Sequence, residues 1–259
     1  MKVAVYFSGH LRTYDQTWDN WKKYVIDPLG ADVFMATWPH RGTWIDKGVP
    51  FKPEPNTIGT VQRDTLINIE EVIKLFNPKK FTLLDEAVFE NETSQLLQEV
   101  CNWRDSLTQE EYWGYMPRGN ISQYYSWKQV DDLRKTYELE SSTSYDFIIR
   151  ARTDLLIEDY FNPFHLQIEN TVMTQIRNDI NDPLWLNDVM FMGTANVISN
   201  LCQIYDSYSP LFTMLKETNS PEWLFSSHKL IPYYLISTGC PWLEVPFPFK
   251  RYNHSLIRS

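Results

Sequence analysis

The sequence predicts one α/β domain, a mixed and mainly parallel sheet flanked by helices, and three observations carry that prediction. Short apolar runs rich in β-branched and aromatic residues alternate with longer segments whose apolar residues recur every three or four positions. The first two strands, at 3–8 and 32–37, are separated by one amphipathic helix, an order that calls for a right-handed parallel crossover. A later strand, Tyr145-Asp146-Phe147-Ile148-Ile149, ends abruptly in Arg150, Arg152 and Asp154, where a buried strand ordinarily ends in turn residues.

Taken in order, residues 3–8 form a strand that meets Ser8-Gly9. Tyr14, Trp18, Trp21 and Val25 then recur at helical spacing until Asp27-Pro28-Leu29-Gly30 ends the helix. After the second strand, residues 39–60 are rich in proline and glycine and read as a long loop of the kind that tends to be functional. A helix over 66–76 is stopped by Asn77-Pro78, a strand follows at 81–84, and helices are expected at 93–112 and 120–137. Beyond the charged strand come a short strand at 189–193 and a helix at 195–208. Ser220-Pro221-Glu222 then opens a helix to about 235, which Pro232 is expected to kink or end. A late strand at 243–247 and a basic, polar tail at 250–259 complete the chain as a single domain, 1–259.

Composition narrows the class. With 259 residues, 43% hydrophobic and 22% charged, the chain is globular and long enough to bury a substantial core. The 15% aromatic content serves a large core or stacking on sugars and bases equally well. A net charge of −9 argues against general nucleic-acid binding, although a local arginine cluster can still take one nucleotide. Cys101, Cys202 and Cys240 are odd in number and far apart, so a reducing compartment is expected. The chain starts on a strand, with neither a signal peptide nor an apolar run approaching the roughly 20 residues a bilayer requires, so no transmembrane segment and a cytoplasmic location are expected.

Chemistry gathers at strand ends. In an open α/β sheet, ligands bind outside the C-terminal ends of the strands. There Asp154 can hold a divalent cation, and Arg150 and Arg152 can meet phosphate oxygens in bidentate geometry. Ser8-Gly9-His10-Leu11-Arg12 follows the first strand, where Gly9 allows close backbone approach and Arg12 reaches phosphate. Thr37-Trp38 follows the second strand, and Asn187-Asp188 precedes the strand at 189–193. Each has a plainer structural alternative. The arginines can pair with Asp146, Asp154 or Glu158, Gly9 can be a turn glycine, Arg12 a surface residue, Trp38 core, and Asn187-Asp188 a turn cap.

In sum these segments carry a resemblance. Together with Ser122-Gln123-Tyr124-Tyr125-Ser126 and Asn187-Asp188-Val189-Met190-Phe191-Met192-Gly193, they resemble the small GT-A-type glycosyltransferases of viruses, phages and bacterial surface-polysaccharide clusters, in order from the first strand to about residue 235. The resemblance implies a GT-A-like, Rossmann-like domain whose donor half is mainly 1–154 and whose acceptor half is mainly 155–259. It implies a nucleotide-sugar donor, with UDP favoured, and a glycan hydroxyl as acceptor. Ser8, Gly9, Arg12, Thr37, Trp38, Gln123, Arg150 and Arg152 fall on the donor side. It also implies Mn2+ or Mg2+ on an Asp-x-Asp motif, with Asp154 and the late His254 as ligands. Here the motif is Arg152-Thr153-Asp154, so only its last acid is matched, and one carboxylate holds a hard cation less firmly than two.

The resemblance makes Asp188 the first candidate for the base of an inverting reaction and Glu222 the second; in a retaining enzyme the leaving phosphate can take that role. Two other readings stand beside it. A sugar nucleotidyltransferase would carry a glycine-rich phosphate loop after the first strand, where this chain has only Gly9 and one arginine. A nucleotide- or glycan-binding protein on a catalytically degenerate scaffold is compatible with the incomplete acidic motif.

Overall fold

Strand β1 (Val3–Gly9) is apolar from end to end because both faces of the sheet are covered. Val3, Val5 and Phe7 enter one core with Trp18, Trp21 and Phe76, while Ala4 and Tyr6 enter another with Tyr124 and Trp127. The computed structural model describes residues 1–42, 66–107, 117–176, 184–247 and 249–251.

Beside β1 lie β2 (Asp32–Thr37), β3 (Lys80–Leu83) and β4 (Phe147–Ala151). After β5 (Leu155–Ile157) come β6 (Val172–Gln175), β7 (Met190–Thr194), β8 (Trp242–Val245) and β9 (Phe249–Arg251). Seven of them form one sheet in the order β3-β2-β1-β4-β7-β6-β8, and β5 pairs with β9 in a small antiparallel sheet. In the large sheet β7 alone runs against its neighbours. The fold is therefore α/β and Rossmann-like, with a mixed, mostly parallel sheet flanked by helices.

One face is covered by α1 (Tyr14–Trp21), which continues through a π-helical turn (Lys22–Ile26) into α2 (Asp27–Leu29), and by α3 (Ile69–Phe76). The other face is covered by α4 (Glu86–Ser106), α5 (Pro117–Ser141), α6 (Ala195–Cys202), α7 (Ile204–Glu217), α8 (Pro221–Leu224) and α9 (Ser227–Ser237). Helix α5 is locked to the sheet by a buried polar group. Arg134 donates to Tyr6 Oη at 2.8 Å, to Asp131 Oδ1 at 2.9 Å and to Ser199 Oγ at 2.6 Å. That lock sets where the N-terminal half of α5 meets the strand ends.

Several expectations are corrected. Asn68 caps α3, which starts at Ile69 and not at 66, because its side chain accepts the Glu71 N–H. Asp85 caps α4 in the same way, so that helix starts at Glu86 and not at 93. The helix expected over 195–208 is two, broken at Gln203, and the second passes through Pro210 to Glu217. The helix expected over 221–235 also divides, and Pro232 lies inside α9 without ending it. Strands β5, β6 and β9 are additions. Most of the 39–60 loop lies outside the described residues, as does His254. Among the described residues no helix is long and apolar enough to cross a membrane.

Candidate functional site

Parallel strands β1, β2 and β4 finish at one edge of the sheet, where Gly9 pairs with Thr37 and Phe7 with Ala151. Strand β7 begins at that same edge because it runs the other way, with Met190 beside Ala151. Its reversal brings Asp188 to the place where the other strands leave. The backbone completes the joint, with the Arg152 N–H donating to the Val189 carbonyl at 3.0 Å.

Arg150 is buried at this edge, only 2% exposed. Its Nε donates to Ser8 Oγ at 3.3 Å and its Nη1 to the Asp188 backbone carbonyl at 2.8 Å. The guanidinium carbon lies 4.3 Å from the centre of the Trp127 ring, a cation–π contact. Burial pushes this guanidinium down to about 9, with the nearby Asp188 carboxylate pulling the other way. It remains charged at pH 7, and both its hydrogen bonds go to neutral oxygens.

Arg152 and Asp154 sit above it. Arg152 Nε donates to Asp154 Oδ1 at 2.8 Å and Nη2 to Oδ2, a two-pronged pair, and Arg12 Nη1 lies 3.9 Å from the same Oδ2. Asp154 is 2% exposed. Burial alone would raise its carboxyl, but Arg152 first and then Arg12 hold it below the usual carboxylate range.

Arg12 reaches this position because the loop after β1 is stitched down. Thr153 Oγ1 donates to the Leu11 carbonyl at 2.6 Å, and the Arg12 N–H donates to the Arg41 carbonyl at 2.8 Å. Arg12 itself takes a left-handed φ of 49°, and Gly9 a φ of 91° that a side-chain-bearing residue rarely adopts.

Asp188 faces the other half of the protein. It is 9% exposed, and its Oδ2 accepts from Ser227 Oγ at 2.9 Å and from Gln123 Nε2 at 3.5 Å. The segment carrying it is docked on α9 through a proline. Pro232 has no N–H for the His228 carbonyl four residues earlier, and that carbonyl accepts instead from Leu186 N–H at 2.9 Å. A residue expected to break a helix thus anchors the approach to the site.

The sequence candidates are distributed accordingly. Ser8, Gly9, Arg12, Gln123, Arg150, Arg152, Asp154 and Asp188 come together at the edge. Thr37 is buried with its hydroxyl on the Trp38 carbonyl. Trp38 is packed against Phe89 and Tyr125 in the core, so it forms the wall behind the edge. Among the described residues no hydrogen bond or ion pair joins Glu222, in the first turn of α8, to this cluster. Sequence reasoning missed Trp127 and Ser227. The first was accessible from helical spacing, one turn beyond Gln123, whereas nothing local marks the second.

Of the two expected cation ligands, Asp154 is among the described residues and His254 is not. Both Asp154 oxygens already accept from a guanidinium, and no group of three histidine, cysteine, aspartate or glutamate side chains is assembled among the described residues. Positive charge at the edge comes from arginine. The edge thus sets three guanidiniums beside the Asp154 and Asp188 carboxylates on a Rossmann-like sheet. Compared with family models and with curated proteins, the chain matches none.

Proposed function

We propose that this protein is a GT-A-like glycosyltransferase that moves a sugar from a nucleoside diphosphate, UDP by preference, to a glycan hydroxyl. The observation that carries the reading is charge. Among the described residues Arg12, Arg150 and Arg152 converge with Asp154 and Asp188 at the C-terminal edge of the sheet, in a chain of net charge −9. An excess guanidinium there favours an anion the size of a diphosphate, and the edge is where α/β sheets take ligands. The preference for UDP rests on the sequence resemblance.

In this reading Arg12 and Arg152 hold the diphosphate, and Gly9 lets the backbone approach it. Arg150 supplies fixed positive charge from below, stabilising the leaving group as negative charge builds on it. Asp188 is the carboxylate on the sugar side, placed to orient sugar hydroxyls or to take the acceptor proton. No step is routed through a cation.

Calorimetric titration with UDP, with and without Mn2+, tests the binding half. Release of UDP from a panel of UDP-sugars tests transfer, with water as the default acceptor. Binding without any release over hours would favour the second reading, a nucleotide-binding protein on a catalytically degenerate scaffold. The pairing of the motif's single acid with Arg152 is what keeps that reading in view.

A further inference from the structure

We propose that His228 is the group that takes the acceptor proton, within the transferase reading on which this rests. The residue is held in three ways. Nδ1 lies 2.7 Å from the Leu186 carbonyl oxygen. A carbonyl only accepts, so Nδ1 carries the proton, and in the neutral ring the lone pair is on Nε2. The ring also stacks on the Trp185 indole, with centroids 4.9 Å apart and planes 12° from parallel. Its backbone carbonyl, freed by Pro232, accepts from Leu186 N–H at 2.9 Å. Backbone and side chain therefore grip the same residue of the docked segment.

The consequence is an oriented base. His228 is only partly buried, and among the described residues Nε2 makes no hydrogen bond. Its neighbour Ser227 donates to Asp188, so the first turn of α9 meets the segment at two points, Leu186 and Asp188. The Ser227 contact thus sets His228 on the same turn of α9 that holds the Asp188 carboxylate. The Asp188 carboxylate is already engaged, its Oδ2 accepting from Ser227 and Gln123. Asp188 holds the sugar, and His228 takes the proton.

The step balances without a co-reactant. The acceptor oxygen forms its bond to the anomeric carbon as the bond from that carbon to the diphosphate oxygen breaks. The bonding pair leaves on the diphosphate, and the hydroxyl proton passes to Nε2 and from there to solvent.

Two readouts on the full chain test this. In a spectrum of 15N-labelled histidines, the His228 signal is assigned by its loss in His228→Asn. The neutral ring should be protonated at Nδ1, and a ring protonated at Nε2 overturns the proposal. The same variant keeps an N–H donor where Nδ1 stands but has no base where Nε2 stands. Its release of UDP from UDP-glucose, UDP-galactose and UDP-N-acetylglucosamine should fall by a factor on the order of 10² against the wild type, with UDP affinity unchanged. Equal release by variant and wild type overturns the role of His228 alone. A wild-type chain that neither binds UDP nor releases it from any of these donors overturns the transferase reading, and this proposal with it.

Discussion

Arg152 and Asp154 close on each other two residues apart. One edge of the guanidinium spans both carboxylate oxygens, with Nε on Oδ1 at 2.8 Å and Nη2 on Oδ2. The turn at Thr153 and Asp154, between β4 and β5, folds the carboxylate back onto the guanidinium two residues earlier, so Arg-x-Asp here is a closed ion pair. The consequences can be measured.

Asp154→Asn should leave Arg152 and Arg12 without their shared counter-ion. Breaking a buried pair from one side costs about 3 kcal/mol or more, and the variant should remain folded with a urea midpoint lowered to match. Stability unchanged within about 0.5 kcal/mol would show that the pair contributes nothing to the fold.

Acid sensitivity follows from the same pair. The folded Asp154 carboxyl lies below its unfolded value of about 3.9, so its stabilisation is complete above that value. It is lost as pH falls through the lower, folded value. The urea midpoint of the wild type should therefore drop below about pH 4, and Asp154→Asn should remove part of that drop. Parallel pH profiles of the two proteins would count against the assignment.

Arg12→Lys and Arg152→Lys should each weaken UDP binding by a factor on the order of 10, since a point charge replaces a planar fork. Calorimetric titration measures this directly. Unchanged affinity in both variants would remove these arginines from the donor side.

Asp188→Ala should lower UDP release by a factor on the order of 10² while leaving UDP affinity nearly intact, because its carboxylate is held by Ser227 of α9 to position the sugar. Glu222→Ala should behave as wild type. A dead Glu222 variant beside an active Asp188 variant would reverse the two roles.

Much of this edge was legible in the sequence because it depends on strand ends. Apolar runs broken by Ser8-Gly9, Thr37-Trp38 and Arg150–Asp154 identify three strands, and parallel pairing brings their ends together. Asp188 was legible as a residue before a strand, but its arrival at the same edge depends on the reversal of β7, which no local pattern announces. The closure of Asp154 by Arg152 and Arg12 was present as an alternative and needed side-chain geometry to decide. Pro232 reads as a helix breaker because propensity weighs the lost hydrogen bond alone; the Leu186 N–H that replaces it is 46 positions earlier in the chain. Gly193 was legible only as a motif residue. A Cβ there would lie 2.8 Å from the Thr171 carbonyl oxygen, so close backbone approach is what requires glycine.

The central claim is that the C-terminal edge of the sheet binds a nucleoside diphosphate through Arg12 and Arg152. A crystal structure of the full chain with UDP tests it most directly. The account predicts phosphate oxygens within hydrogen-bonding distance of both guanidiniums, beside the Gly9 backbone and on the opposite side of Arg150 from Trp127. UDP bound away from residues 8–12 and 150–154 would contradict it.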